Sequence, residues 1–440
     1  MARPTAPVGP PAHRDAPTTR ELLAFVLLAR KRRDPYPFYR RLHGNAGVYN
    51  SPIGVTTVCS MEAAINVLRD PTMSSDPFAA ASGYRAGRRG CGILQEAPGR
   101  FVLRRISRPD GSHRPFALLQ RGLMTNMDPP DHARVRNAAS AAFAPQLTGR
   151  TTPMIESVAH RLIDTFEASG EVELLSAYAR ALSMTVLCGI LGVPEEDRDS
   201  FRNWAGHLLA AFDPLGSRSE KLLRRADLAA VAMTAYVSAL AAQRRGEPRD
   251  DVISALARPD SNGEYLTADQ LAATTAIMLA AGHETTANLI GNAVWTLHKN
   301  LAQRQRFVDE PDLGRSAVEE LLRYESPIQM TQRIATVDRV HHGVSIPAGR
   351  QVIVLLGAAN RDPAAFRDPD RLDIARNGSR PIAFGYGAHH CFGASLATAE
   401  ALTALRVLYQ RLPGVRPVAN RARWRPSLVF RGLERLPVTW

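Results

Sequence analysis

Paired cysteines are missing from this chain. Its 440 residues include four (Cys59, Cys91, Cys188 and Cys391), widely spread and without a CxxC pair. That pattern argues against a disulfide framework or a structural zinc module and leaves room for one functional thiol among buried, inert ones. Membrane-length apolar runs are lacking too. The best candidate, Leu22 to Ala29, is cut short by Arg30, Lys31, Arg32 and Arg33. A secretory leader would put its charge ahead of its apolar run and close on small residues; here the order is reversed. The expectation is a cytoplasmic protein with no membrane attachment. Acidic residues are in deficit, 42 against 55 basic, for a net charge of +13 that is almost all arginine. No helix-turn-helix, zinc finger or aromatic–basic interleaving supports nucleic acid. An acidic protein partner suits the charge better.

What is present is apolar content of 45%, enough for a large core. Residues 1–18, rich in Pro and Ala, read as a flexible tail, and 19–440 as a single domain without repeats or linkers. Helical periodicity dominates at 20–31, 61–69, 131–144, 153–168, 173–191, 220–243, 302–308, 314–324 and 393–411. Short strand patterns cluster near 47–59 and 333–355. In the latter, Val344–Ile346 and Gln351–Leu355 around Pro347-Ala348-Gly349 read as a hairpin. The fold class is therefore mainly α with a smaller β region. Thr267 to Lys299 contains no proline and opens on Thr267-Ala268-Asp269-Gln270, a capping box, so a helix of roughly 50 Å should cross the middle of the molecule. Residues 77–122 differ, with nine arginines against Glu96 and Asp110; they suit a lid or binding loop.

Two motifs carry chemistry. In Phe384-Gly385-Tyr386-Gly387-Ala388-His389-His390-Cys391-Phe392-Gly393, three glycines permit tight turns and close approach of backbone to a flat ligand. Cys391 precedes a helix, so free amides and the positive dipole end favour its thiolate. Such a thiolate is the ligand an iron porphyrin needs to activate oxygen. The second motif, Ala281-Gly282-His283-Glu284-Thr285-Thr286, lies mid-way along the long helix. Thr side chains there bond back to carbonyls one turn earlier, and a carboxylate beside a hydroxyl can relay protons. A zinc site built from Cys391, His389 and His390 is disfavoured, because adjacent residues do not easily converge on one ion.

The cysteine loop resembles that of the cytochrome P450 family, FxxGxxxCxG, with Phe384, Gly387, Cys391 and Gly393 at its four fixed positions. The resemblance runs from about Pro35 to the C-terminus, with Pro129-Pro130-Asp131-His132, Ala281-Gly282-His283-Glu284-Thr285, Glu320-x-x-Arg323 and the cysteine loop in the family's order. It implies a triangular helical fold around the long helix, haem b (heme, iron protoporphyrin IX) bound non-covalently, and Cys391 as the ligand of the metal. It makes Glu284 and Thr285 the catalytic proton-delivery pair. His132, Arg136, Ala281, Arg333, Phe384, His389 and Gly393 fall at cofactor-contact positions, and Glu320, Arg323 and Arg371 at those of a structural network. Met278, Ala281, Ile328, Gln329, Met330, Val429 and Phe430 match substrate-pocket positions. The implied enzyme is a monomeric monooxygenase that uses dioxygen, with electrons from NAD(P)H through ferredoxin reductase and ferredoxin. Its expected substrate is a bulky polyketide or peptide natural product, free or on a carrier protein, in a tailoring step of secondary metabolism. Peroxide use and a non-catalytic sensing role are the rivals; the intact Glu284–Thr285 pair speaks against both. One departure concerns the helix after the cysteine, where Leu396-Ala397-Thr398-Ala399-Glu400 lacks the basic residue that many relatives offer the electron donor. Docking would then rely on arginines such as Arg136, Arg376 or Arg380.

Overall fold

The computed structural model describes residues 33–43, 47–50, 55–77, 114–144, 151–212, 219–260, 263–378 and 380–440. The tail, the 20–31 pattern, Cys91 and most of the basic 77–122 segment lie outside the described residues.

The expected long helix spans Ala268–Lys299, 32 residues or about 48 Å. Its capping box is formed: Thr267 Oγ1 accepts from the Gln270 N–H, and Gln270 Oε1 accepts from the Thr267 N–H, each at 3.2 Å. It packs against the helices Arg180–Leu191, Arg198–Phe212, Glu220–Gly246, Gly314–Tyr324 and Ala394–Arg411. Burial on that many sides requires a helix that is apolar all round, as its Ala, Leu and Ile content provides.

Other helices fall close to their expected places, at Met61–Arg69, Asp131–Phe143, Thr151–Asp164 and Leu301–Asp309. The single helix expected over 173–191 is instead strand Glu171–Glu173, a π-type turn Leu175–Ala179 and the helix Arg180–Leu191. Helix Arg198–Phe212 was not foreseen, although Phe201, Ala205 and Leu208/Leu209 recur at helical spacing and are buried. Helix Pro115–Arg121 occupies the end of the basic segment.

The β region contains β1 (Val48–Asn50), β2 (Thr56–Val58), β3 (Met73–Ser74), β4 (Glu171–Glu173), β5 (Thr331–Ala335), β6 (Arg339–His341), β7 (Val344–Ile346) and β8 (Gln351–Val354). One sheet has the order β1-β2-β8-β5-β3, with β2 and β8 parallel and the other neighbours antiparallel. Here the expected hairpin is corrected. β7 pairs with β6, and β8 pairs with β5 and β2. The two-residue turn is His342-Gly343, both at positive φ, which is the geometry of a tight hairpin. Pro347-Ala348-Gly349 merely carries the chain across, tied by the Gly349 N–H to Ala335 O at 2.7 Å.

A second correction concerns apolar length. Glu220–Gly246 is long and apolar enough to cross a membrane by length and composition, although 44% of its most apolar window is buried here. Its buried Asp227 accepts from Arg114 Nη1 at 3.0 Å and from the Phe116 N–H at 3.3 Å. Those bonds hold it to the helix beginning at Pro115.

The chain leading to Cys391 is organised by one buried carboxylate. Glu320 accepts from Arg323 at 2.6 and 2.9 Å and from Arg376 Nε at 3.1 Å, and also takes the Asp373 N–H at 2.9 Å. Arg323 then donates to the carbonyls of Asn360, Pro369 and Arg371. The third member of the network is thus Arg376 and not Arg371, whose side chain is exposed and which contributes only its carbonyl. The reason is reach: the chain turns at Asp368–Arg371, and Arg376 comes back over the helix Gly314–Tyr324. Arg376 is therefore engaged internally and is not a docking group for a donor. Arg376→Ala should lower stability by about 1–3 kcal/mol, because it takes from the buried Glu320 one of its two guanidinium partners. Arg371→Ala should stay within about 0.5 kcal/mol. Urea titrations of the two variants decide the assignment.

Candidate active site

The cysteine loop is held from several sides. Gly385 and Gly387 have φ of +71° and +72°. A Cβ on Gly387 would lie 2.6 Å from the carbonyl oxygen of Leu68, so helix Met61–Arg69 presses directly on the loop. Arg69, at the end of that helix, stacks over Tyr386 at 4.6 Å and donates to its hydroxyl at 2.5 Å. The Cys391 N–H donates to Phe384 O at 2.7 Å and the His390 N–H to Gly387 O at 3.0 Å. Phe392 packs on Phe143, ring centres 4.8 Å apart. Helix Ala394–Arg411 begins immediately after.

Cys391 is exposed, in contrast to buried Cys59 and Cys188, whose thiols burial pushes up to about 12 and about 11. The Gly393 amide and Arg136 do favour the Cys391 thiolate, but desolvation by the surrounding protein outweighs them and its pKa is raised. The Gly393 amide acts in the direction expected of the helix start, and a cation held at the sulfur would favour the thiolate further.

Four donors gather beside the loop. His132 and His389 stack with ring centres 4.0 Å apart. Burial, with neighbouring cations, pushes His389 down to about 3 and His132 below its ordinary value. His132 Nε2 is buried and has no partner. Arg333 is buried in β5 and reaches only Thr331 Oγ1 and the Gln332 carbonyl; burial lowers its guanidinium to about 10. Arg136 donates to His390 O at 2.8 Å. The acid nearby, Asp128, is occupied by the Ser74 hydroxyl and the Ser75 N–H. A cluster of donors whose one nearby acid, Asp128, is already engaged fits a ligand that brings its own carboxylates. Porphyrin propionates meet that description, so the residues present fit haem. No group of three His, Cys, Asp or Glu side chains among the described residues is placed to hold a metal ion, which leaves the zinc alternative without support.

On the long helix, Ile277, Ala281, Gly282 and Thr285 are only half-buried although the residues around them are buried. Positions 277, 281 and 285 form one stripe at i, i+4 and i+8, so this face borders an internal space. Thr285 Oγ1 donates to Ala281 O at 2.5 Å, the expected back-bond. Glu284 is buried between two arginines that the sequence did not reveal: Arg180 lies at 3.4 Å and Arg425 donates to its carboxylate. His283, pushed down to about 4 by burial, is neutral and does not share this task.

Of the expected pocket residues, Ile328 and Phe430 pair as a β-bridge beside Val429. Met278 is buried on the long helix. Gln329 does not belong with them. Alternation along the extended chain turns it inward, where its side chain accepts from Tyr39 Oη at 2.9 Å and donates to Ser326 O at 2.8 Å. Met330 packs with Tyr36, Tyr39 and Leu355 in a separate apolar cluster.

The sequence profile described as "Cytochrome P450" matches residues 95–412. The chain belongs to the cytochrome P450 family. Among its relatives, "Mycinamicin IV hydroxylase/epoxidase" of Micromonospora griseorubida is 37% identical over 326 residues, covering 73% of this chain and 80% of the relative. "Polyketide biosynthesis cytochrome P450 PksS" of Bacillus subtilis (strain 168) is 33% identical over 319 residues, 72% of this chain and 77% of the relative. A solved structure of P450BioI in complex with hexadec-9Z-enoic acid ligated acyl carrier protein superposes with a TM-score of 0.81 at 35% identity, over 94% of this chain and all of that one. As a cytochrome P450, the protein is a monooxygenase that works with haem, dioxygen and electrons from redox partners.

Glu400, nine residues after the cysteine, faces the interior at 1% exposure and so cannot meet a redox partner. Burial raises its carboxyl from 4.5 to about 8. The folded protein thus holds a proton that the unfolded chain releases between pH 4.5 and 8, and stability should fall as pH rises through that window. Glu400→Gln should abolish this slope and gain on the order of a few kcal/mol near pH 8. Melting temperatures of both proteins at pH 5 and pH 8 test it; parallel curves would place the ionisation elsewhere.

Proposed function

We propose that this cytochrome P450 hydroxylates or epoxidises a bulky apolar natural product of polyketide or peptide type, in the cytoplasm, as a tailoring step of secondary metabolism. Its electrons come from NAD(P)H through ferredoxin reductase and ferredoxin. The observation that carries the reading is the half-buried stripe of Ile277, Ala281 and Thr285 in an otherwise buried helix, with apolar Ile328, Val429 and Phe430 as further walls. The named activities of the mycinamicin and polyketide relatives support the substrate class.

Cys391 would hold the iron through its sulfur, and His132, Arg136, Arg333 and His389 would bind the propionates. Haem, when bound, supplies the chemistry that inserts one atom of dioxygen into a C–H or C=C bond. The chain supplies position and protons. Thr285, fixed by its bond to Ala281 O, keeps its hydroxyl lone pairs free to take a proton from the acid beside it. Arg180 and Arg425, both partly exposed, pair with the Glu284 carboxylate and link it to solvent. Displacement of either arginine lets the carboxylate pick up a proton from water and hand it inward. The ring N–H groups of His132 and His389 would donate hydrogen bonds to the propionates.

The purified protein, reduced under carbon monoxide, should show the strongly red-shifted Soret band of a thiolate-ligated haem, and Cys391→Ser should lose it. A haem band without that shift in the wild type would overturn thiolate ligation by Cys391. Separately, Thr285→Ala and Glu284→Gln should lower product formed per NAD(P)H consumed by about 100-fold, the low end of the range for a lost acid–base step. Arg425→Ala should cause a smaller loss and shift the pH profile. Stoichiometry of product against cofactor oxidised is the measurement, with the carbon monoxide band as the control for an intact haem site.

A further inference from the structure

Helix Glu220–Gly246 buries one side against the helices Arg198–Phe212 and Pro115–Arg121 and against the long helix, and its other side carries exposed residues with no packed element among the described residues. Leu228 and Val231, three residues apart on that side, are 73% and 54% exposed. They form an adjacent pair of large apolar side chains on one helical face, which ordinary solubility would remove. Exposed Lys221, Arg224 and Arg225 lie one to two turns before them, and exposed Arg245 closes the other end of the helix. Arg224 is shared with Glu220 at 3.5 Å, so the face reads as an apolar centre whose ends carry a net positive charge from Lys221 and Arg225 on one side and Arg245 on the other.

We propose that this face docks an acidic carrier protein that presents the substrate on a covalent arm. The inference rests on the tailoring-monooxygenase reading above and takes the carrier-held of the two substrate forms that the family resemblance implies. Three observations select this occupant. A second copy of the chain, crossing in either direction, would set cationic ends against cationic ends, since both ends of the helix are basic. A membrane-spanning role conflicts with the buried Arg114–Asp227 and Arg244–Asp251 pairs, which tie this helix into the fold at both ends. An acidic helical partner with a small apolar patch matches both features at once, and a relative of the same fold has been solved with an acyl carrier protein bound. The same buried pairs make the face a rigid platform, so little ordering is lost on docking.

The probe is the fatty-acid acyl carrier protein loaded with a hexadec-9Z-enoyl chain, added to the full-length haem-loaded enzyme. Its dissociation constant is compared with that of free hexadec-9Z-enoic acid, each read by the haem spin-state shift. The loaded carrier should bind at least tenfold more tightly, with affinity falling as salt rises. Arg224→Glu with Arg225→Glu, and separately Leu228→Ser with Val231→Ser, should each weaken carrier binding at least tenfold and leave free-acid binding unchanged. Equal affinity of carrier and free acid, or indifference to both double variants, would overturn the docking surface. So would a dimer in sedimentation that Leu228→Ser with Val231→Ser dissolves, or flotation with anionic phospholipid vesicles that the same variant abolishes. A normal spin-state shift with the free acid would leave the monooxygenase reading standing while the docking surface falls.

Discussion

A charge placed out of water needs partners on every side, and Glu320 obtains them from Arg323, Arg376 and a backbone amide. The two guanidinium groups have donors left over, and these collect the carbonyls of Asn360, Arg367, Pro369 and Arg371. Asn360 in turn accepts the Ile382 N–H at 2.8 Å, two residues before Phe384. One buried carboxylate therefore sets the path of the irregular chain that ends in the cysteine loop. Irregular backbone of that kind cannot satisfy itself through helix or sheet ladders, so a polar cluster takes over the task. A hydrophobic replacement would pack as well, but it would leave those carbonyls without donors.

The long helix has a different constraint. It must be apolar enough to sit among five others and yet present a chemically active stripe at its centre. Small residues, Ala281 and Gly282, keep that stripe shallow, while Thr285 satisfies its hydroxyl internally. The opposite requirement, a carboxylate within reach of both stripe and solvent, is met by Glu284 with arginines from two distant parts of the chain, Arg180 and Arg425. A buried acid thereby gains charged partners that its own helix does not supply.

Arginine performs much of the remaining polar work. Arg361 stacks on Tyr324 at 3.7 Å and on Tyr36 at 4.1 Å, and Arg431 lies over Trp424 at 4.0 Å while pairing with buried Glu325. Guanidinium is planar and weakly hydrated, so it suits buried stacking and multiple carbonyls in a way that ammonium does not. The chain accordingly has only three lysines among its 55 basic residues. Part of the +13 excess that suggests an acidic partner is thus internal architecture; the exposed basic residues at the ends of helix Glu220–Gly246 are among those left for recognition.

Local signals determined a good deal here. The glycine-spaced cysteine loop, the capping box at Thr267 and the Glu284–Thr285 pair are each defined by residues within a few positions of one another, and spacing alone makes them legible. Helix ends and β-strands could be placed where apolar periodicity was unbroken. Tertiary structure decided whatever depends on residues far apart in the chain meeting in space. Arg376 displaced Arg371 because only the folded turn at Asp368–Arg371 shows which side chain comes back to Glu320. Gln329 left the pocket because its orientation depends on pairing with Val429 and Tyr39, hundreds of residues apart in one case. His342-Gly343, not the proline turn, became the hairpin because partner choice among short strands is set by the sheet and not by the strands themselves. The Cys391 thiol, favoured as a thiolate by its neighbours in sequence, is held back by desolvation, a property of the surrounding protein that no motif contains.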